Sequence, residues 1–259
     1  MSGGLLKAEW VKLWSVRSTY LALGLAALMA IGLGALDTSS VADHWATMSS
    51  ADKAGFDAVA EAFNGGQLGQ LAFGVLGVLV ISSEYGTGLI RTTLTAAPNR
   101  AGVFAAKAVV VGAVILVLGE LLSFATFFLG QAFLARARLD VGLTDAGVLR
   151  AVLSTGLFLC VLALVSLGLG GLLRHTAGGI AAMFAVTFLA WPIARAMETW
   201  SYVPDHLLLA NAVDVLTRAT PPTGPHAARL PSMGMAWFDL VLYPVVFLAL
   251  GAWRTTRDP

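Results

Sequence analysis

Apolar and polar residues fall in long blocks along this chain, and neither the period of a strand nor that of a surface helix runs through the apolar ones. Six blocks approach or reach the roughly 20 mostly apolar residues that a helix needs to cross a bilayer: residues 19–36, 67–83, 103–134, 149–173, 177–194 and 236–253. The third is longer than one crossing requires, which predicts a tilted helix or one that projects from the membrane. Six crossings place both termini on the same face. Within the fifth block, Trp191-Pro192 predicts a kink, because proline removes a backbone donor.

The polar intervals have patterns of their own. Residues 1–18 carry Leu6, Trp10, Leu13 and Trp14 at helical spacing, with Lys7, Lys12 and Ser15 on other faces. That pattern predicts a helix lying in the headgroup region, tryptophans at the boundary and lysines toward phosphate, with Arg17 snorkelling from the apolar side. The interval 37–66 is too long to lack structure, and Val41, Trp45, Met48, Val59 and Phe63 predict one or two short helices ended by Asn64-Gly65-Gly66. A further helix is expected over 205–216, followed by a Pro-rich turn at 220–225. The most specific interval is 84–100, where Glu84, Tyr85, Gly86, Gly88 and Arg91 lead to Pro98-Asn99-Arg100. It reads as a loop entering a short helix that stops before the proline.

Composition agrees with lipid as the solvent. The 259 residues are 58% hydrophobic and 12% charged, against about 25% charged in soluble domains. A formal net charge of +1 leaves no basic excess for phosphate backbones, so nucleic acid is not an expected partner. Cys160 is the sole cysteine and forms no internal disulfide. The first apolar block lacks the short basic leader and cleavage pattern of a signal peptide, and is read as a retained anchor. Lys and Arg distribution orients the chain: Lys7, Lys12, Arg17, Arg91, Arg100, Lys107, Arg174, Arg254 and Arg257 fall on one side. The first loop of the other side holds Asp37, Asp43, Asp52, Asp57 and Glu61 with only Lys53. The positive-inside rule then predicts cytoplasmic N- and C-termini, with Arg136, Arg138 and Arg150 as exceptions.

Candidate chemistry is sparse. There is no G-x-x-x-x-G-K-[ST] string and no polar stretch long enough for an ATPase domain, so ATP, if used, is bound by another chain. No paired carboxylates, Ser/His/Asp set or helical metal-ligand pair is present, and neither catalytic nor metal-binding residues are assigned. Glu120 lies inside the third block, where an ionisable group is expensive. It reads either as a path-lining or proton-binding residue, or as a neutral carboxyl hydrogen-bonded to Ser123 or a neighbouring helix. Small residues such as Gly74, Gly77, Gly168 and Gly171 predict close helix packing.

With these residues in view, the chain resembles ABC-2-type transporter permeases, in particular the six-span subunits of bacterial ABC exporters. The likeness rests on Lys7-Ala8-Glu9-Trp10-Val11-Lys12-Leu13 before the first span, on Glu84-Tyr85 with Gly88, Ile90, Arg91, Thr92, Thr93 and Leu94, on Pro98 to Arg100, and on Lys107 opening the third span. The family pattern is approximately E-Y-x-x-G-T-[IL]-R-T-T-L, and Leu89 stands here where Thr is usual.

The resemblance implies an all-α integral membrane protein of the type V exporter-like class. It would be one six-span domain over 1–259, with an N-terminal interfacial helix and a cytoplasmic coupling helix, in the bacterial plasma membrane. It also implies a cytoplasmic ABC ATPase as partner, with ATP and magnesium held there and no cofactor on this chain, and a second permease copy or a sister permease. Coupling falls to Glu84, Tyr85, Gly88, Leu89, Ile90, Arg91, Leu94 and Arg100, with the charges steering a soluble partner and the apolar residues seated in its groove. By analogy Gln67, Gln70, Ser82, Ser83, Thr187 and Trp191, together with Glu120, line the path. The expected function is export of a drug, antibiotic or lipid-like solute. Two alternatives stand beside it: a proton-coupled secondary transporter using Glu120, and a non-transporting assembly or immunity protein.

Overall fold

The computed structural model describes residues 3–64, 69–89, 99–197, 203–220 and 227–257. Helix α1 covers Gly3–Ser15, α2 Arg17–His44, α3 Ser50–Ala54, α4 Ala58–Asn64, α5 Gly69–Gly86 and α6 Arg100–Leu134. Then come α7 Val148–Leu173, α8 Thr176–Phe184, α9 Ala190–Met197, α10 Val203–His206, α11 Leu209–Thr217 and α12 Met233–Thr256. No strand occurs among the described residues. Among the described residues five helical stretches are long and apolar enough to cross a bilayer: Thr19–Thr47, Gly69–Gly86, Arg100–Ala137, Val148–Leu173 and Met233–Thr256.

Several boundaries differ from the sequence reading for local reasons. The leader helix stops at Ser15 and does not reach residue 18, because Val16 is extended (φ −97°, ψ 118°), so Arg17 opens α2. α2 runs past residue 36 to His44, since the polar side chains there bond back into the helix. Thr38 Oγ1 donates to the Gly34 carbonyl at 2.7 Å and Ser39 Oγ to that of Leu36 at 2.9 Å. The fifth expected span is a shorter apolar helix, Thr176–Leu189, whose segment Ala185–Leu189 is a π-helix leading into α9. Pro192 offers no N–H to the carbonyl four residues back, at Phe188, and its ring crowds that carbonyl. The expected distortion therefore falls one turn before Trp191-Pro192. The helix expected over 205–216 is split into α10 and α11.

α7 is the central element. Almost every residue from Phe158 to Gly171 is buried, and it packs against α5, α6 and α12. The approach is close because of glycine. A Cβ on Gly77 would collide with the Ala163 carbonyl oxygen, and one on Gly168 with the Phe247 backbone. One apolar core joins α7, α8, α11 and α12 around Leu162, Met183, Leu216 and Leu240. A second joins α2, α5, α6 and α7 around Phe73, Leu76, Ile115 and Ala163. α12 turns Phe238, Val241 and Val245 outward between the exposed Trp237 and Trp253. Those tryptophans are about 24 Å apart along the helix, the spacing of two membrane-interface belts.

Contacts sort the ends of the helices into two groups. Tyr85, Arg174, Thr176 and Arg254 meet at one end, through the Arg174 guanidinium over the Tyr85 ring, Arg174 Nη2 donating to the Arg254 carbonyl at 2.5 Å, and Thr176 Oγ1 to Ser82 Oγ at 2.9 Å. Helix α1 and the last turn of α12 lie there too, and it is called the terminal end. At the loop end, Asp57 caps α4 through the Val59 and Ala60 amides and accepts from the Thr220 amide and hydroxyl at 2.9 and 2.7 Å. Burial alone would raise the Asp57 carboxyl; the Ala60, Thr220 and Val59 donors outweigh it and hold the group below its ordinary value. Arg150 closes the end of α11 by donating to the carbonyls of Val215, Leu216 and Arg218. Its charge is absorbed by a helix C-terminus, which accounts for an arginine on this side.

Glycine contacts separate packing from mere occupancy. Gly77→Ala lowers the thermal midpoint of the purified chain by the equivalent of about 1–3 kcal/mol. Gly24→Ala, where an added Cβ meets nothing within 4 Å, leaves it unchanged or slightly higher. Equal effects at the two positions contradict this packing.

Candidate functional site: a buried four-charge cluster

At the terminal end α1 lies against α6. Leu13 packs on Val110 and Val114, with Leu6 and Trp14 beside them. Helical spacing sets Glu9 one turn before Leu13 on the same inward face, and Lys107 one turn before Val110 and Val111 on α6. The last full turn of α5 adds Glu84. All three side chains are buried: Glu9 is 4% exposed, Glu84 5% and Lys107 2%.

These groups and Lys12 form a closed square of ion pairs. Lys107 Nζ donates to Glu9 Oε2 at 2.5 Å and to Glu84 Oε1 at 2.8 Å. Lys12 Nζ donates to Glu9 Oε1 at 2.8 Å and to Glu84 Oε1 at 3.1 Å. Each lysine bridges both carboxylates, and the charges sum to zero. Neutrality decides whether such a group is tolerable, since taking an ion out of water costs several kcal/mol unless opposite charge and hydrogen bonds repay it. Burial by itself pushes the Glu9 carboxyl up, but Lys107 and Lys12 together hold it below its ordinary value of 4.5. Burial likewise pulls the Lys12 ammonium down, and Glu9 and Glu84 carry it above its ordinary value of 10.5.

The cluster sits at the head of the segment that the sequence singled out. Glu84 turns inward to the lysines, so its charge is spent within the chain and not offered to a soluble partner as expected from sequence. Tyr85 is partly buried under Arg174. Gly88 is exposed at φ +73°, a left-handed conformation that favours glycine, and Leu89 is 46% exposed. Ile90, Arg91 and Leu94 lie outside the described residues. Arg100 begins α6, whose N-terminus is capped by Asn99 Oδ1 accepting from the Gly102 amide at 2.9 Å. On α1, Lys7 and Trp10 are exposed, and Trp14 is partly buried between Trp10 and Tyr20 at ring-centroid distances of 5.8 and 5.4 Å. Lys12 points to the carboxylates instead of toward phosphate.

The path candidates divide. Gln70 and Thr187 line a cavity of about 360 Å³ toward the loop end, with Phe73, Ser123, Thr155 and Phe158. Ser83 faces a second cavity beside the cluster, and Ser82 is buried against Thr176. Gln67 and the Trp191 side chain lie outside the described residues. Glu120 does not line the larger cavity. It packs on Gly156 of α7, where an added Cβ would lie 2.5 Å from its carboxyl carbon. Ser123, a suggested partner, donates instead to the Val152 carbonyl at 2.6 Å, and Glu120 Oε2 is buried with no partner among the described residues.

From sequence, Glu9 and Lys107 were noted only for their places in the motif strings, and their pairing was missed. The available signal was a lone acid on the apolar stripe of α1 and a lone base on an apolar face of α6, opposite in sign and each needing a partner. A family model described as ABC-2 family transporter protein matches residues 5–190 of the chain, a stretch that contains the whole cluster. No curated protein matches it.

The shifted groups set a pH window for the docking of α1. A depressed Glu9 contributes stability that is present above its unfolded value near 4.5 and lost as pH falls through the lower folded value. A raised Lys12 contributes stability that is present below 10.5 and lost as pH rises through the higher folded value. Fluorescence of Trp10 and Trp14 in reconstituted chain is therefore flat across neutral pH and changes at both limits, and Glu9→Gln removes the acid limb. A signal that changes between pH 6 and pH 8 contradicts the assignment.

Proposed function

The chain belongs to the ABC-2 family of transporter proteins, and on that premise we propose that the four-charge cluster is the joint through which a separate ATPase drives this permease. The family is a membrane transport component, not itself catalytic, so hydrolysis falls to a partner chain that holds ATP and magnesium. In this reading six helices cross the plasma membrane with α8 and α9 forming the fifth, both termini are cytoplasmic, and a second permease copy or a sister permease completes the path.

The observation that carries the proposal is the cluster itself. Glu84 lies in the last turn of α5, shortly before Gly88 and the segment reaching Arg100, and it is tied by lysines to α1 and α6. A push on residues 88–100 thus reaches α1 and α6 as well as α5 through the ion pairs of Glu84. The segment serves as the coupling helix, with Tyr85, Leu89, Ile90, Arg91, Leu94 and Arg100 meeting the ATPase. Nucleotide-driven closure of two ATPases moves two such segments, and the attached helices rotate to open the path. Export of an amphipathic drug, antibiotic or lipid-like solute fits the larger cavity, which combines aromatic walls with hydroxyl and amide groups.

Proton-coupled transport through Glu120 finds less support. Its carboxyl is packed into the α6–α7 contact at Gly156, away from the cavity lining. A non-transporting assembly or immunity protein would use the cluster to dock α1, but it gives the segment from Gly88 to Arg100 no particular task.

In membranes containing the chain and its ATPase, cargo stimulates hydrolysis and transport. Gly88→Pro, which forbids the positive φ, combined with Arg91→Glu abolishes both without preventing insertion. Transport that survives the pair of changes overturns the coupling role.

A further inference from the structure

A groove of about 320 Å³ opens beside the cluster between α1, the start of α2, α5 and α6. Its two ends differ in chemistry. Leu76, Leu79, Val80, Val110 and Val111 form one end; Ser83, Glu84 and Thr87, with Glu9, Lys12 and Lys107, form the other. The lining runs from Leu76 on α5 to Thr87 just past its end, about 16 Å at the helical rise. The gradient from hydrocarbon to charge follows that of a lipid chain and its headgroup. The charged end lies at the level of Trp10 and Trp14, where an interface is expected.

The polar end is unusual in that the hydroxyls of Ser83, on α5, and Thr87, just past its end, offer acceptors without free donors. Ser83 Oγ spends its hydrogen on the Leu79 carbonyl at 2.6 Å, and Thr87 Oγ1 spends its own on the Ser83 carbonyl at 2.8 Å. Both oxygens keep lone pairs. Glu84 Oε1 takes both lysines, whereas Oε2 is buried with no hydrogen-bond partner among the described residues. An unpaired buried carboxylate oxygen is costly. Three acceptors within one turn of helix match the three N–H donors of a primary ammonium.

The geometry points to a binding site for a membrane phospholipid with a primary-amine headgroup, its acyl chain along Leu76, Val80 and Val110 and its ammonium among Ser83, Thr87 and Glu84. A phosphate two carbons from the ammonium then falls at the rim, where Lys12 is the partly exposed cation, 29% by side chain. A choline headgroup has no N–H to donate. A serine headgroup brings a second carboxylate toward Glu9 and Glu84. Ethanolamine is therefore the headgroup that fits. The site does not depend on which partner drives the permease, so its fate is separable from that of the coupling role.

The test is native mass spectrometry of the full chain, released from detergent with phospholipids of identical acyl chains bearing ethanolamine, N-methyl-, N,N-dimethylethanolamine or choline. Retention falls stepwise as donors are removed, by about tenfold from ethanolamine to choline. Ser83→Ala with Thr87→Val, which leaves all four charges in place, flattens the series. Val80→Trp fills the groove and lowers retention of every headgroup. A flat series for the unsubstituted chain, or a series unchanged by the Ser83 and Thr87 substitutions, overturns the proposal. Thr87→Val alone reads the same loss in part, should the bulky substitution at Val80 disturb folding.

Discussion

The square of Glu9, Lys12, Glu84 and Lys107 constrains this protein more tightly than any apolar contact at the same end. Glu9, Glu84 and Lys107 are costly at their depth without opposite charge, and their mutual geometry, completed by the half-buried Lys12, fixes the docking of α1 on α5 and α6. Apolar packing of Leu13 on Val110 and Val114 holds the leader helix to the bundle, yet an apolar face tolerates sliding. Ion pairs at 2.5 to 3.1 Å do not. Removing one partner of a buried pair typically costs about 3–5 kcal/mol, mostly because it strands the other charge. The leader helix is thereby fixed in register to α5 and α6.

The two ends of the bundle are held by different chemistry. At the terminal end, charge meets charge inside the fold, beside a glycine turn at Gly88 and a groove open to amphiphiles. At the loop end, Arg150 and Asp57 spend their charges on backbone carbonyls and amides, which locks α4 and α11 to the tops of the long helices. Between them α7 is gripped by glycine contacts on α5 and α12. The π-helix Ala185–Leu189 contributes Val186, Thr187 and Phe188 to the larger cavity. Irregular backbone among apolar helices is tolerated where it faces protein or a cavity, and here it borders one.

Much of this was legible from residues alone. Apolar block length marked four of the five long helices within a few residues, because hydrocarbon thickness fixes how much chain must be apolar. Where blocks misled, hydropathy and helicity had parted company: α2 continues through Asp37 to His44 because Thr38 and Ser39 bond into the helix instead of against it. The placement of the π-helix needed the steric reach of Pro192 back to Phe188, and the helix bounds expected for residues 1–18 missed the extended Val16. Ile90 to Pro98, central to the sequence reading, lie outside the described residues. The site itself was half legible. Glu84 and Lys107 were visible as motif positions, but their pairing spans 23 residues of chain and that of Glu9 with Lys107 spans 98, distances over which no local pattern carries information. The single charges on apolar faces were the only trace.

A double-mutant cycle on Glu9 and Lys107 measures the central interaction most directly, with thermal unfolding of the purified chain as the readout. Lys107→Met leaves an excess buried carboxylate and destabilises strongly. Adding Glu9→Gln restores neutrality around the remaining Lys12–Glu84 pair, so the double variant unfolds at a higher temperature than Lys107→Met alone. Losses that simply add, with the double variant the least stable of the set, contradict a coupled buried cluster and with it the joint.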